Sequence, residues 1–310
     1  MTTTRALLLV CVIAVLNGVF FIQYQRPDWT TQWSDQDGYR RLGASLAQTG
    51  KFTRFPESPT FVPEVIRTPA YPLFVAAVYR VAGTSQLTVA LAQTGLFVAI
   101  CLLVFGLARR IVDPPIATAA AACTALYPML PYFGSLVMTE VWTTLWFTFA
   151  LWLAVRLVQS PSAGWSAAFG LAAAIATLSR PVFVLFPIAM ALVGLVLFPL
   201  AGVRRRPSIG HWATAIAVFA VAMLPWFAYN YATLGRFTLS PAGGIGRGLW
   251  EGSWQAAWSG RVQNELTHLA DDIDDRTELD ARVAAVAVRE QVPVAPMLEY
   301  VHQWEDIRLI

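Results

Sequence analysis

Of the 310 residues, 56% are hydrophobic and only 13% charged, and the mean hydropathy is +0.54. Soluble domains run near one quarter charged, so this composition excludes a water-soluble globular enzyme and leaves the bilayer to cover most of the apolar surface. The net charge of +3 is too small and too dispersed to call for a nucleic-acid partner.

The chain opens with Arg5 and the run "ALLLVCVIAVLNGVFFIQY". Its length suits a bilayer rather than the roughly 7–15 residues of a secretory signal core, and no small-x-small cleavage site closes it, so it reads as a first transmembrane helix. Counting apolar runs gives about seven spans, near 6–24, 86–108, 115–132, 138–158, 165–179, 182–200 and 212–230. The expected fold class is therefore an all-α integral membrane protein. Cys11, Cys101 and Cys123 lie inside these runs without metal-ligand spacing and read as small core residues.

Placing the N-terminus in the cytoplasm puts Arg109, Arg110, Arg156 and the Arg204–Arg206 run on the inside, as the positive-inside bias requires. The usage of arginine over lysine suits a bacterium, whose plasma membrane is the expected location. Two large segments then face outward, residues 25–85 and everything after about 231. They divide the chain into a transmembrane module, 1–231, and an extracytoplasmic tail, 232–310.

In the first outer loop Tyr39, Leu42 and Leu46 recur at helical spacing, and "AYPLFVAAVYRVAG" forms a second short apolar helix. Both suit interfacial helices, joined by the proline-containing "RFPESPTFVPEVIRTP". The tail carries the Gly-rich "SPAGGIGRGLWEG", the acidic "DDIDD", a helix near 278–290, and a second helix with Met297, Tyr300, Val301 and Trp304 on one face. It runs into Ile310 without a stop signal, which suits a chain that continues into further spans. "GGIGRG" neither follows a strand nor opens a parallel-sheet unit, so it reads as a loop rather than a nucleotide site. "DDIDD" reads as a solvated acidic surface, and Trp250, Trp254 and Trp258 as interface anchors or as platforms for a sugar ring or prenyl tail.

Ionisable groups bordering apolar runs are expensive and invite a functional reading. On the outer face these are Asp35, Asp37, Glu64, Arg67, Glu140 and Arg180, with Arg236, Arg247 and Glu251 beyond the last span. A carboxylate to take a proton from an acceptor hydroxyl, beside cations to hold a departing phosphate, is the equipment for glycosyl transfer from a lipid phosphate. Asp35 equally suits the N-cap of an interfacial helix, and Glu140 the first turn of an inward-running span. Arg67 is stiffened by Pro69 and Pro72, while Arg180, before Pro181, also suits a headgroup contact.

"DQDGY", "LAQTG", "RTPAYPLFVAAVYRVAG", "YFGSLVMTE", "LSRP" and "PWFAYNYATLGRF" occur in an order that resembles bacterial C-superfamily (GT-C) glycosyltransferases. The similarity is to the dolichyl-phosphate-mannose protein mannosyltransferase-like and aminoarabinose-transferase-like proteins, and it covers essentially all seven spans. It implies a GT-C-like fold and an inverting membrane glycosyltransferase using a polyprenyl-phosphate-linked sugar on the outer face. The acceptor would be a glycan, lipid or protein hydroxyl. The resemblance picks out Asp35, four residues before Tyr39, as catalytic base, with Asp37 as local competitor and Glu140 as second acidic position.

Arg67, Arg180 and Arg247 are the candidate donor-phosphate ligands, and Tyr39, Glu64, Tyr71 and Asn230 the candidate substrate contacts. The family's arginine near Asn230 is replaced here by Tyr229, which shifts phosphate binding toward Arg67 and Arg180. The sequence indicates no particular cofactor, and a divalent cation on the two carboxylates stays open, since two carboxylates do not define a metal site. The histidines, His211, His268 and His302, are widely separated. A transporter or flippase of lipid-linked sugars would instead place charges at the centres of its spans, and a non-catalytic membrane scaffold would not need Asp35.

Overall fold

The computed structural model describes residues 3–30, 34–197, 207–240, 252–254, 257–273 and 275–308. The chain forms two compact units, Met1–Leu239 and Ser240–Ile310. The described residues are helical or irregular, with no strand among them.

The first unit is a bundle whose chain passes repeatedly between two ends. Helix α1 (Thr3–Gln25) is followed by a 3₁₀ turn, then by α2 (Ser34–Thr49) and α3 (Ala70–Ala82) at one end. Helices α4 (Gln86–Ala108), α5 (Pro114–Leu126), α6 (Met129–Gly134), α7 (Glu140–Gln159) and α8 (Ala163–Thr177) come next. A segment of 3₁₀ helix (Pro181–Leu185), α9 (Phe186–Leu192) and a π turn (Val193–Leu197) precedes α10 (Ile209–Leu234).

Side-chain contacts fix the direction of each pass. Gln93 in α4 donates to the carbonyls of Gly134 and Leu136, at 2.9 and 2.6 Å, so α5 and α6 together return the chain to the level where α4 began. Arg110 and Gln159 meet at the other end, where α7 finishes. The carbonyls of Leu178 and Ser179, after α8, are back beside residues 68–70. Helices α8 and α10 pack backbone to backbone because Gly170 has no side chain: a Cβ there would lie 2.2 Å from the Ala215 carbonyl oxygen. Small residues let apolar helices approach this closely where no hydrophobic force separates helix from lipid.

Among the described residues four helices, α1, α4, α7 and α10, are long and apolar enough to cross a membrane. The remaining expected spans are shorter. The 115–132 run breaks at Pro128 into α5 and α6, because Pro128 and Pro131 remove amide donors and force a new start. The 165–179 run yields the 15-residue α8, and the 182–200 run, interrupted by Pro187, changes from 3₁₀ to α to π helix. Arg204, Arg205 and Arg206 lie outside the described residues.

In the second unit, α11 (Gly260–Asp272), α12 (Arg276–Glu290) and α13 (Val294–Arg308) share a core of Val262, Leu266, Leu279, Val283, Met297, Tyr300 and Val301. Helix α11 was not among the expected elements, although Val262, Leu266 and Ala270 recur at helical spacing after the Ser259 cap. Trp254 and Trp258 stack on each other 5.3 Å apart, Trp258 within that core and Trp254 packed against it. One reading of this tail is corrected. In "DDIDD", Asp275 caps α12 through the Glu278 amide at 2.8 Å, and Asp271 accepts from the Trp304 indole at 3.0 Å, so neither is merely solvated. "GGIGRG", Trp250 and Glu251 lie outside the described residues.

Candidate functional site

Helix α2 follows the first apolar helix with two carboxylates in its opening turn, where the helix dipole favours negative charge. Its apolar face, Leu42 and Leu46, packs with Ala76 of α3 and Trp226 of α10. That packing sets Asp35 and Tyr39 over the chain that leads into α3.

Arg67 reaches up to this turn. Its Nη2 donates to Asp35 Oδ1 at 2.8 Å, its Nη1 lies 3.7 Å from Glu64 Oε2, and its guanidinium carbon sits 4.9 Å from the centre of the Tyr39 ring. Gly38 makes room for it, since a Cβ at that position would fall 2.3 Å from Arg67 Cζ. Glu64 is fully buried behind Arg67; Oε1 accepts the amides of Ile66 and Arg67, and Oε2 meets Arg54 Nε at 2.6 Å. A charge this deep is tolerated because Oε1 accepts two amides and two cations face the carboxylate, while Oε2 is met by charge alone and has no hydrogen bond among the described residues.

A second ion pair stands nearby. Arg180 Nη2 donates to Glu140 Oε1, and Arg180 Nε to Thr139 Oγ1 at 2.9 Å. Glu140 opens α7, whereas Arg180 follows α8, so the pair closes the gap between two adjacent helix ends.

Hydrogen bonds between chain neighbours hold the two pairs in register. Gln36, next to Asp35, accepts from the Val137 amide at 3.1 Å and from Gln86 Nε2 at 3.2 Å. Thr68, next to Arg67, donates its hydroxyl to the Ser179 carbonyl at 3.2 Å, and the Ala70 amide donates to Leu178 at 3.0 Å. Residues 36 and 137 thus tie the acids' segments together, and residues 68 and 179 tie the arginines' segments. Both pairs act on Tyr39. Burial pushes its phenol up to about 12, with Arg67 the strongest opposing influence and Asp35, Arg180 and Glu140 all contributing. Tyr39 therefore stays neutral and serves as a ring and a hydroxyl, not as a base.

Exposure divides the two pairs in opposite senses. Arg67 is 6% exposed and its partner Asp35 67%; Arg180 is 45% exposed and its partner Glu140 20%. One pair presents its carboxylate, the other its guanidinium.

A half-open cavity of about 320 Å³ adjoins Glu140 and Arg180. Its walls are mainly apolar, from Tyr127, Met129, Leu130, Phe133, Phe147, Val182 and Phe183. Glu140 Oε2 and Thr143 Oγ1, both on residues lining it, are buried without a hydrogen-bond partner among the described residues.

The remaining expected site residues lie as follows. Asp37 is turned to Arg41 one helical turn on, at 2.7 Å, and its neighbour Gly38 separates it from the Arg67 contact. Tyr71 is fully buried, edge-on to Tyr39 at 5.0 Å with its hydroxyl on Gln93 Oε1 at 3.1 Å, which makes it a support for Tyr39 rather than a surface contact. Glu64 is likewise enclosed. Asn230 is buried against the Thr238 carbonyl at 2.7 Å, where it folds the chain back after α10. Tyr229 stacks on Trp226 at 5.3 Å and points its hydroxyl at the Phe52 carbonyl, so it clamps the loop leading to Arg54 and Glu64. Arg247 lies outside the described residues.

Gln36, Thr68, Gln93 and Thr143 were not singled out from the sequence. Gln86 and Gln93 are seven residues apart on one face of an otherwise apolar helix, a spacing that marks a polar stripe turned inward. His211 pairs with Ser208 to cap α10. Among the described residues no three His, Cys, Asp or Glu side chains gather as a metal-holding group, and Asp35 and Glu140 are each engaged by an arginine. The residues present do not fit a divalent-cation site.

A family model described as dolichyl-phosphate-mannose-protein mannosyltransferase matches residues 66–229, more than half of the 310-residue chain. The matched stretch contains Arg67, Glu140, Thr143 and Arg180, while Asp35 and Tyr39 precede it. No curated protein and no solved structure matches the chain.

Proposed function

Since the chain belongs to the dolichyl-phosphate-mannose-protein mannosyltransferase family and is thus a membrane glycosyltransferase of the GT-C type, we propose that it moves a sugar from a polyprenyl-phosphate donor to an acceptor hydroxyl. Transfer takes place at the end of the bundle that carries Asp35 and Arg180, on the extracytoplasmic side of a bacterial plasma membrane. The opposite exposure of the two ion pairs is the observation that carries this reading: an accessible carboxylate and an accessible guanidinium are held on one face in fixed register.

In the proposed reaction the Asp35 carboxylate takes the proton of the acceptor hydroxyl. The acceptor oxygen forms its bond to the anomeric carbon from the side opposite the leaving group. The bond from that carbon to the phosphate oxygen breaks, and the lipid phosphate departs with the electron pair. This single displacement inverts the anomeric centre. Arg67 fixes the orientation of Asp35 through one carboxylate oxygen, whereas Arg180 meets the phosphate, a group that a guanidinium can hold in forked fashion. Buried Arg67 is better placed to orient the base than to bind the donor. The apolar cavity beside Arg180 suits the first part of an isoprenoid tail, and Thr143 supplies a hydroxyl there. Phosphate is already a good leaving group, so positioning and electrostatic support provide most of the rate.

The decisive experiment measures sugar transfer from a radiolabelled polyprenyl-phosphate sugar in membranes carrying wild type, Asp35→Asn or Asp37→Asn. Asp35→Asn should lose about 10²–10⁴-fold in turnover, the usual worth of a positioned base, with Asp37→Asn close to wild type. Equal activity in all three would remove Asp35 from the chemistry. Labelling of a cysteine placed at position 205 from the outside would reverse the orientation.

A further inference from the structure

At the opposite end of the bundle α4 and α7 finish side by side. Arg110 Nη1 donates to Gln159 Oε1 at 2.9 Å, and Gln159 Nε2 donates back to the Arg110 carbonyl at 3.1 Å. This reciprocal pair pins the turn after α4 to the last turn of α7 and brings two guanidinium groups to one indole. The guanidinium carbons of Arg110 and Arg156 lie 5.3 and 5.7 Å from the centre of the Trp152 ring, and that of Arg156 also lies 4.7 Å from Trp165.

An aromatic face attracts a cation but does not cancel its charge. Among the described residues no carboxylate pairs with Arg110 or Arg156, and the Nε of each is buried without a hydrogen-bond partner. Two like charges converging on one ring, with no carboxylate partner among the described residues, call for an anion. Their depth says which kind: both stand at the ends of helices long and apolar enough to cross a membrane, where lipid phosphates lie. Next to them a shallow concavity of about 470 Å³ is lined by Arg109, Arg110, Ile111, Val112, Asp113 and Ile116. Ile111 and Ile116 are 70% and 59% exposed beside these arginines, apolar surface that a soluble anion would leave uncovered and a lipid would cover.

We propose that Arg110, Arg156 and Trp152 form a binding site for the phosphodiester headgroup of an anionic phospholipid in the leaflet opposite the Asp35 end. Basic pockets between membrane helices recognise lipid headgroups by this combination of forked donors and interfacial rings. The site does not depend on the reaction proposed for the other end.

The test uses the full chain in detergent, with native mass spectrometry of retained dioleoylphosphatidylglycerol and dioleoylphosphatidylcholine. Wild type should retain the anionic lipid preferentially, and added salt should weaken that retention. Arg110→Gln/Arg156→Gln should lose about thirtyfold in affinity, from two arginines at an anionic headgroup. Arg261→Gln, an exposed arginine in the second unit, should lose nothing. Equal retention of the two lipids by wild type would overturn the proposal, as would undiminished retention by the double variant. Displacement of the lipid by millimolar inorganic phosphate would assign the site to a soluble anion instead. Should the double variant not fold, the preference of wild type between the lipids decides alone. Arg156→Lys, which keeps the charge but not the forked donors, should then still weaken retention.

Discussion

The polar segment around α2 and the helix ends at Glu140 and Arg180 each supply one ion pair, and they build it in opposite ways. In the first, the arginine is buried under a glycine and an aromatic ring while the aspartate projects. In the second, the glutamate lies at the mouth of an apolar cavity and the arginine projects. On the proposed reaction, which partner the fold withdraws decides the roles: the withdrawn one orients and the exposed one acts.

Variants can break this asymmetry at several depths. After the loss expected for Asp35→Asn, the largest effect belongs to Glu64→Ala. Removing a fully buried carboxylate leaves Arg54 without its anion and Arg67 with Asp35 alone, and breaking a buried pair in this way costs up to about 3–5 kcal/mol. Thermal unfolding in detergent should show that drop, and an unchanged midpoint would mean that Arg67 is held by other contacts.

Arg180→Gln acts on the projecting cation. It should raise the KM for the lipid-linked donor by roughly tenfold to a hundredfold, the worth of a charged hydrogen bond, with a smaller change in turnover. If turnover falls and KM stays, the roles assigned to the two pairs are wrong. Gly38→Ala is subtler. A methyl group there must displace Arg67, at a cost of about 1–3 kcal/mol from overpacking, partly offset because alanine favours helix by up to about 1 kcal/mol. Activity should fall more than stability. The smallest effect is Thr68→Val, which removes the bond to the Ser179 carbonyl; a loss of about 1 kcal/mol is expected. Its combination with Arg180→Gln should be non-additive in donor KM, since Thr68 acts through the chain that carries Arg180.

Much of this site was legible in the sequence because charges beside apolar runs are rare enough to stand out. Asp35, Arg67, Glu140 and Arg180 were visible for that reason. What pairing they adopt was not, because residues 35 and 67, or 140 and 180, meet only through the path of the chain between them. Nor were Gln36 and Thr68 visible: uncharged polar residues in helices and loops are common, and nothing local tells one that crosses to another segment from one that faces solvent. The helix count shows a related limit. Hydropathy sees continuous apolar runs, but Pro128 and Pro187 interrupt the backbone hydrogen bonds without lowering hydropathy enough to divide the run.

On the proposed reaction, the contact between Glu140 and Arg180 bears on turnover as well as on binding. A donor phosphodiester carries one negative charge, whereas the lipid phosphate left after transfer approaches two, so a bare arginine would grip product more tightly than substrate. Glu140 competes for the same guanidinium. On the proposed reaction it weakens both complexes, and it returns to Arg180 as the spent carrier leaves, so the acid at the cavity mouth keeps the enzyme from stalling on its own by-product.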